Sequence, residues 1–488
     1  MLILASILIP ILFGLIIFIT PKFKDRKSLL CFSAIGLFIT AVLSIASMVN
    51  DKKEIFLFSF GKNLDIFFRI DSLSVIFASV VLLVWLLSGF FAFEYMKHEK
   101  EEKRYFGFYV MVLGILNAIV FSGNLVTFYF FYEMMTLLSV PLILHNRSKE
   151  AIMGGLKYLF YSLFGAYMVL FGLFFLNKYA SSLNFTEGGI LDLSLVSGNE
   201  TLLYVVAFSM IVGFGVKAGM FPLHAWLPTA HPVAPAPASA VMSGIIVKMG
   251  VLGMIRVVYY IIGADFIRGS WVQTVWLILT LITVFMGSML AYREKVFKKR
   301  LAYSTVSQAS YILFGLALLN PQAMTGSLLH VIFHAVIKSC LFLSAGAVIY
   351  KTGYTNVDDL RGIGKAMPIT IWCYTLASAA LIGIPPASGF ISKWHLALGS
   401  FSSSIPTFSW LGPVILLVSA LLTAGYLLPV TIKGFLPGDD FDYSTLKKCE
   451  PNLVMLIPLL ILGILTVLLG IFPTPIVDFI SNITTAVL

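Results

Sequence analysis

Residues 201–230 read TLLYVVAFSMIVGFGVKAGMFPLHAWLPTA. The first part is apolar enough for a membrane span, and a helix needs about 20 such residues to cross the hydrocarbon. Yet the run carries Lys217, followed at once by GMFPLHAWLP (219–228). Glycine loosens the backbone and proline removes a backbone donor, so the helix is expected to break in mid-membrane. Such a break persists only where protein or a wet cavity satisfies the freed groups. A second stretch, GIPPASGF (383–390), has the same build, with Lys393 just after it.

The chain around these breaks is 488 residues long, 59% hydrophobic and only 11% charged. Soluble proteins carry roughly 25% charged residues. A soluble enzyme, a disordered protein and a nucleic-acid binder are excluded, and an all-α polytopic membrane protein is expected. Apolar runs predict about fourteen spans, near 2–20, 29–48, 71–93, 105–122, 125–145, 152–177, 201–230, 235–263, 271–291, 302–319, 323–350, 368–402, 409–433 and 453–473. The first is followed by PKFKDRK and reads as a retained signal-anchor helix. Between spans 2 and 3, EIFLFSFGKNLDIFFRID (54–71) alternates around Gly-Lys-Asn and predicts a small surface hairpin.

Basic residues test the count, because cytoplasmic loops collect Lys and Arg. One set of alternate loops holds Lys22, Lys24, Arg26, Lys27, Lys97, Lys100, Lys103, Arg104, Arg147 and Lys149. It continues with Arg293, Lys295, Lys298, Lys299, Arg300, Lys351, Arg361, Lys365, Lys433, Lys447 and Lys448. The opposite set has only Lys52, Lys53, Lys62, Arg69, Lys178 and Arg268. A multi-pass protein of the cytoplasmic membrane with both termini outside is expected.

The breaks fall in spans 7 and 12, five apart. Spans 4–8 and 9–13 therefore read as two five-helix units, each broken in its fourth helix. An odd number of spans turns the second unit upside down, and inverted repeats with matching broken helices are built for transport. The expected division is 1–104 (helices 1–3 and the hairpin), 105–263 (first repeat), 271–433 (second repeat) and 453–488 (helix 14).

Charge in mid-bilayer costs roughly 2.5–3.5 kcal/mol per group. Lys157 and Arg256 lie near span ends and can snorkel. Glu133, Lys217, Lys248, Lys338 and Lys393 lie nearer the middle, at a combined cost on the order of 12 kcal/mol. Structural ion pairing leaves most of them unpaired, since Glu133 is the lone carboxylate placed within a span. Span 11 adds His330 and His334, which share one helix face with Lys338 at i, i+4 and i+8. Opposite it, Tyr303, Ser304, Thr305, Ser307 and Gln308 on span 10 either order water or simply face neighbouring helices. His224 and His231 either gate water at the first break or cap loose backbone groups. His98 and His145, near span ends, are expected to be solvated or interfacial.

Two imidazoles without nearby carboxylates or thiols are poor metal ligands but suit a proton relay. The four cysteines (Cys31, Cys340, Cys373, Cys449) form no CxxC pair, so neither a metal centre nor a disulfide framework is expected. No P-loop or dinucleotide fingerprint is present. The chain is expected to hold no cofactor and to perform no catalytic chemistry itself. Sodium wants several oxygen ligands, whereas this axis is basic. An amine taken out of water favours its neutral form, and a carboxylate beside it restores the charge. Moving Glu133 toward or away from Lys217 therefore switches proton occupancy.

Several stretches carry a family resemblance: YEMM (132–135), VKAGMFPLHAWLPTAHPVAP (216–235), KMG (248–250), KKRLAYSTVSQASY (298–311) and HVIFHAVIKSCLF (330–342). The chain resembles the antiporter-like membrane subunits shared by respiratory complex I, group 4 membrane-bound hydrogenases and Mrp-type cation/proton antiporters, over roughly spans 3 to 14. The resemblance implies that Glu133 and Lys217 are the input pair of a first half-channel and that Lys248 links the halves. It places Lys338 and Lys393 in the second half-channel and His330 and His334 on the polar axis. It departs where span 12 carries Lys393 instead of the glutamate of some complex I members, and where the chain stops without a long lateral helix. AHPVAPAPASAV and these departures look closest to hydrogenase-associated or Mrp-like members. The implied partners are other integral membrane proteins, with either a peripheral iron–sulfur/nickel–iron arm or a sodium-carrying companion, and no nucleic acid. An autonomous sodium/proton antiporter and a non-transporting scaffold are the alternatives.

Overall fold

A computed structural model of the chain describes all residues except 22, 51–52, 440 and 443–446. Lys22 and Lys52, used in the charge asymmetry, lie outside the described residues. Apolar sequence becomes helix almost throughout, because in lipid a helix satisfies its backbone internally. The helices are α1 (Leu2–Ile19), α2 (Arg26–Val49), α3 (Ser72–Tyr95), α4 (Glu102–Val120), α5 (Leu125–Ile143) and α6 (Lys149–Tyr179). Next come α7 (Glu200–Ala218), α8 (Leu227–Val233) and α9 (Ala236–Ile262), the last containing two π-helical turns. The second half has α10 (Trp271–Arg293), α11 (Phe297–Ala317), α12 (Pro321–Thr352), α13 (Pro368–Ile382), α14 (Ser388–Phe401) and α15 (Pro406–Phe435). It closes with α16 (Leu453–Ile471) and α17 (Thr474–Val487).

Helix starts follow side-chain chemistry. Asp71, Asn124, Ser148, Asn320 and Asn452 each accept a hydrogen bond from a backbone amide of the first turn. Among the described residues, twelve helices are long and apolar enough to cross a membrane. The other two expected spans have different forms. Helix α11 is rich in polar residues, and span 12 is divided into α13 and α14. The expected single C-terminal helix is two: α17 is amphipathic, burying Ile480, Ile483 and Val487, and its Thr484 Oγ1 meets Thr325 Oγ1 of α12 at 3.1 Å.

The expected hairpin is present. Strands β1 (Glu54–Ser59) and β2 (Asp65–Arg69) pair antiparallel, with a bulge between Phe56 and Phe58. Asn63 takes the left-handed conformation in the turn.

The two five-helix units pack in the same order. In each, the first helix packs on the second and the second on the third (α4–α5–α6; α10–α11–α12). The third then packs on both pieces of a broken helix (α6 on α7 and α8; α12 on α13 and α14), and the first piece packs on the fifth helix (α7–α9; α13–α15). Both breaks begin alike: α7 ends at Gly219 with φ 79°, and α13 ends at Gly383 with φ 95°. Only glycine reaches that region without strain, which is how both helices stop there. Helices α9 and α12 are the most enclosed and form the centre of the bundle.

Candidate functional site

Lys217 occupies the last turn of α7, where a cation suits the helix dipole. It is 1% exposed. Its three ammonium protons have three acceptors: Thr136 Oγ1 at 2.9 Å, Tyr158 OH at 3.1 Å and Ser162 Oγ at 2.8 Å. Tyr158 OH also meets Ser139 Oγ at 2.8 Å. Glu133 stands one helical turn before Thr136 on α5, half-buried, and its Oε1 has no hydrogen-bond partner. It forms no ion pair with Lys217. The implied input pair is therefore apart in this conformation.

The break itself is covered by side chains. Trp226 Nε1 donates to the Val216 carbonyl at 2.8 Å, and Lys157 Nζ on α6 donates to Thr229 Oγ1 at 3.1 Å. Trp226 thus spans the first break, and Lys157 ties α8 to α6. In the second half Lys393 does the covering, with Nζ donating to the Leu381 and Ile382 carbonyls at 2.6 and 2.9 Å.

Helix α9 crosses close behind Lys217. A Cβ at Gly250 would lie 2.7 Å from the Phe214 carbonyl oxygen and 3.0 Å from Lys217 Cβ, so glycine lets the two helices touch. Two residues earlier, Lys248 follows a π-helical turn at Met242–Ile246, a feature frequent at functional sites. Its Nζ donates to the Ser243 carbonyl of that turn and meets His334 Nδ1 of α12, each at 2.5 Å. With Lys248 as the donor the ring proton lies on Nε2, and His334 Nε2 has no protein partner.

From this centre two branches run into the second unit. Ser243 Oγ meets Thr305 Oγ1 at 2.8 Å, and Thr305 Oγ1 donates to the Leu301 carbonyl at 3.0 Å. Lys338 Nζ donates to that same carbonyl at 3.0 Å and to Ser304 Oγ at 2.6 Å, which also accepts from Tyr426 OH at 2.8 Å. Along α12, the His334 and His330 rings are 5.7 Å apart. His330 Nδ1 meets Ser392 Oγ at 2.8 Å, beside Lys393, whose Nζ lies 5.1 Å from the Tyr311 ring centre. Among the described residues none of the four lysines pairs with a carboxylate, so the charges are not structural ion pairs.

Of the hydroxyls on α11, Ser304 and Thr305 join the axis, whereas Ser307 bonds the Val284 carbonyl and Ser288 in helix packing. Gln308 is buried with both amide atoms unpartnered. Arg256 does not snorkel; it meets Asp71 at 2.5 Å. His145 is buried in the protein, its Nε2 meeting the Lys100 carbonyl at 2.8 Å, so it is not solvated; the exposed His98 stacks on Tyr350. Sequence reasoning passed over Tyr158, Ser162, Ser392 and Tyr426. The signal available for the first two was their i, i+4 spacing in an otherwise apolar helix.

The sequence matches the family described as NADH:quinone oxidoreductase/Mrp antiporter over residues 122–427. Residues 57–106 match the N-terminal part of NADH-ubiquinone oxidoreductase (complex I) chain 5. NADH-quinone oxidoreductase subunit N of Desulforudis audaxviator is 32% identical over 78% of this chain and 76% of that protein. A Na(+)/H(+) antiporter subunit of Alkalihalophilus pseudofirmus is 28% identical over 98% and 95%. A chain of the archaeal membrane-bound sulfane sulfur reductase, a respiratory membrane complex, shares the fold with a TM-score of 0.85 at 22% identity, over 99% of this chain and 97% of that one. With more than half of its length inside one family signature and its fold shared along nearly the whole chain, the protein belongs to the antiporter-like membrane subunits of the NADH:quinone oxidoreductase/Mrp antiporter family.

Proposed function

We propose that this chain is the proton-translocating subunit of a larger membrane assembly in the cytoplasmic membrane, with both termini on the outer face. The observation that carries this reading is the buried run of amines and imidazoles through both units. Its four lysines are held by hydroxyls, carbonyls and one imidazole instead of carboxylates. Protons pass along Glu133, Lys217 and Lys248 to His334, and on to Lys338 and Lys393, with His330 on the branch toward Lys393. The buried atoms left unpartnered at Glu133, His330, His334 and Gln308 are where internal water completes the path, since a buried polar atom left unsatisfied costs about 1–3 kcal/mol.

The chain brings no cofactor of its own. Energy comes from companion membrane proteins, tied either to a redox arm or to a sodium-moving module. Likeness to the sodium/proton antiporter relative along almost the whole chain is what supports the second arrangement. Intact-complex mass spectrometry after mild extraction separates them: companions with iron–sulfur or nickel–iron motifs support the redox arm, and small membrane companions alone support the sodium module.

The direct test is Lys217→Ala and Glu133→Ala in the assembled complex, with proton uptake followed in inside-out vesicles. Both substitutions are expected to abolish coupled translocation while the complex still assembles. Undiminished translocation by assembled Lys217→Ala complexes would refute the proposal.

A further inference from the structure

Helix α8 is the short piece bridging the first break, and its two faces look onto different environments. The outer face, through Pro228, Thr229 and Val233, lines a surface cleft of about 430 Å³ shared with Glu150 and Lys299. That is the basic side of the membrane. The inner face carries His231, which is fully enclosed and stacked on Phe342 at 4.7 Å and 18°. Neither of its ring nitrogens has a hydrogen-bond partner. A histidine kept only for packing normally has at least one nitrogen satisfied.

Cations surround this idle ring on three elements. Lys298 of α11 donates to the Ala234 carbonyl, three residues beyond His231, at 2.6 Å. Lys338 of α12 lies 5.9 Å from the centre of the same Phe342 ring. Lys248 of α9 is the third, and the charges of all three act on the imidazole. The half-buried Glu99, between α3 and α4, is near enough for the Lys298 charge to act on it. Burial pushes the Glu99 carboxyl upward, against the pull of the Lys298 and His98 charges.

We propose that His231 is the inlet relay that carries protons from the basic side, past Lys298, to Lys338, an inference that rests on the proton-translocation reading above. One ring nitrogen takes up a proton delivered on the basic side, and the other releases its own toward Lys338. The ring then exchanges tautomers and is ready again. Neutral imidazole does this without a permanent charge among three amines, which a lysine or arginine at 231 does not. The cleft brings water to the outer wall of α8, so the relay has only the thickness of one short helix to cross.

The test uses the intact complex in inside-out vesicles, whose basic face is outward. Assembly is monitored on native gels. His231→Asn keeps a polar side chain of smaller size and is expected to slow proton uptake at least tenfold. His231→Ala opens a space, and added imidazole is expected to restore a measurable part of its rate, which a purely structural defect would not allow. Unchanged uptake in His231→Asn, with Lys338→Ala inactive, overturns the inlet and leaves the function intact. Loss in both His231 variants with no recovery by imidazole also overturns it. If Lys338→Ala translocates normally as well, the function reading itself fails.

Discussion

Replacing Arg256 with alanine tests what holds the centre of the bundle in place. The guanidinium is 2% exposed and grips Asp71, at the start of α3, with contacts of 2.5 and 2.8 Å, plus Ser74 Oγ at 3.1 Å. It also lies between the rings of Phe185 and Tyr260, 4.8 and 4.7 Å from their centres. Removing one partner of a buried ion pair costs about 3–5 kcal/mol. Asp71 keeps 24% of its side-chain exposure, so the lower end, about 3 kcal/mol, applies. Titration gives a similar figure. Burial opposes the Asp71 charge, but Arg256 and the Ser74 hydrogen bonds outweigh it and take the carboxyl from 3.8 down to about 2. At 1.36 kcal/mol per unit that is about 2.5 kcal/mol. A carboxyl held below its unfolded value stabilises fully above that value and loses its contribution as pH falls through the folded one. The wild-type complex should therefore melt several degrees above Arg256→Ala at pH 7, and the gap should close between about pH 4 and pH 2. Detergent-solubilised complexes melted across that range provide the assay. No gap at pH 7, or a gap unchanged at pH 2, would show that the pair does not anchor α9 to α3.

Two further substitutions probe the site and its frame. Tyr158→Phe removes one of three acceptors from Lys217, and a hydrogen bond to a charged group contributes about 1.5–3 kcal/mol; initial proton uptake should fall about tenfold or more in fully assembled complex, and an unaltered rate would mean the phenol is dispensable. Gly389→Ala places a Cβ 1.9 Å from the Ala380 carbonyl oxygen, so α14 can no longer seat on α13; overpacking of about 1–3 kcal/mol or more should lower the yield of assembled complex on native gels, and a normal yield would contradict this packing.

Much of the frame was legible because the informative residues are costly ones. Glycine and proline in an apolar run announce Gly219 and Gly383 as helix ends, and lysines in hydrocarbon announce themselves by their insertion cost. The partners were not legible. Helix α6 carries polar residues along its length without one polar face, so the i, i+4 spacing of Tyr158 and Ser162 did not say that they meet Lys217. Arg256 and Asp71 are 185 residues apart, beyond any local pattern. Lys298 reads as a topology charge in a basic loop, yet the start of α11 tucks under α8 and encloses it. Helix α17 escaped because it is too short to span and its apolar residues merge with the end of α16.

The contact between Lys248 and His334 limits how charge moves through the middle of the protein. With Nζ and Nδ1 2.5 Å apart, placing a positive charge on both groups would cost about 7 kcal/mol at an effective dielectric near 20, and would leave Nδ1 no lone pair to accept with. The two groups therefore form a single seat. One proton can occupy it, and the next is admitted only as the first departs. On the proposed path, protons crossing between the two five-helix units pass this seat in single file, and a cycle that moves several of them must empty it each time.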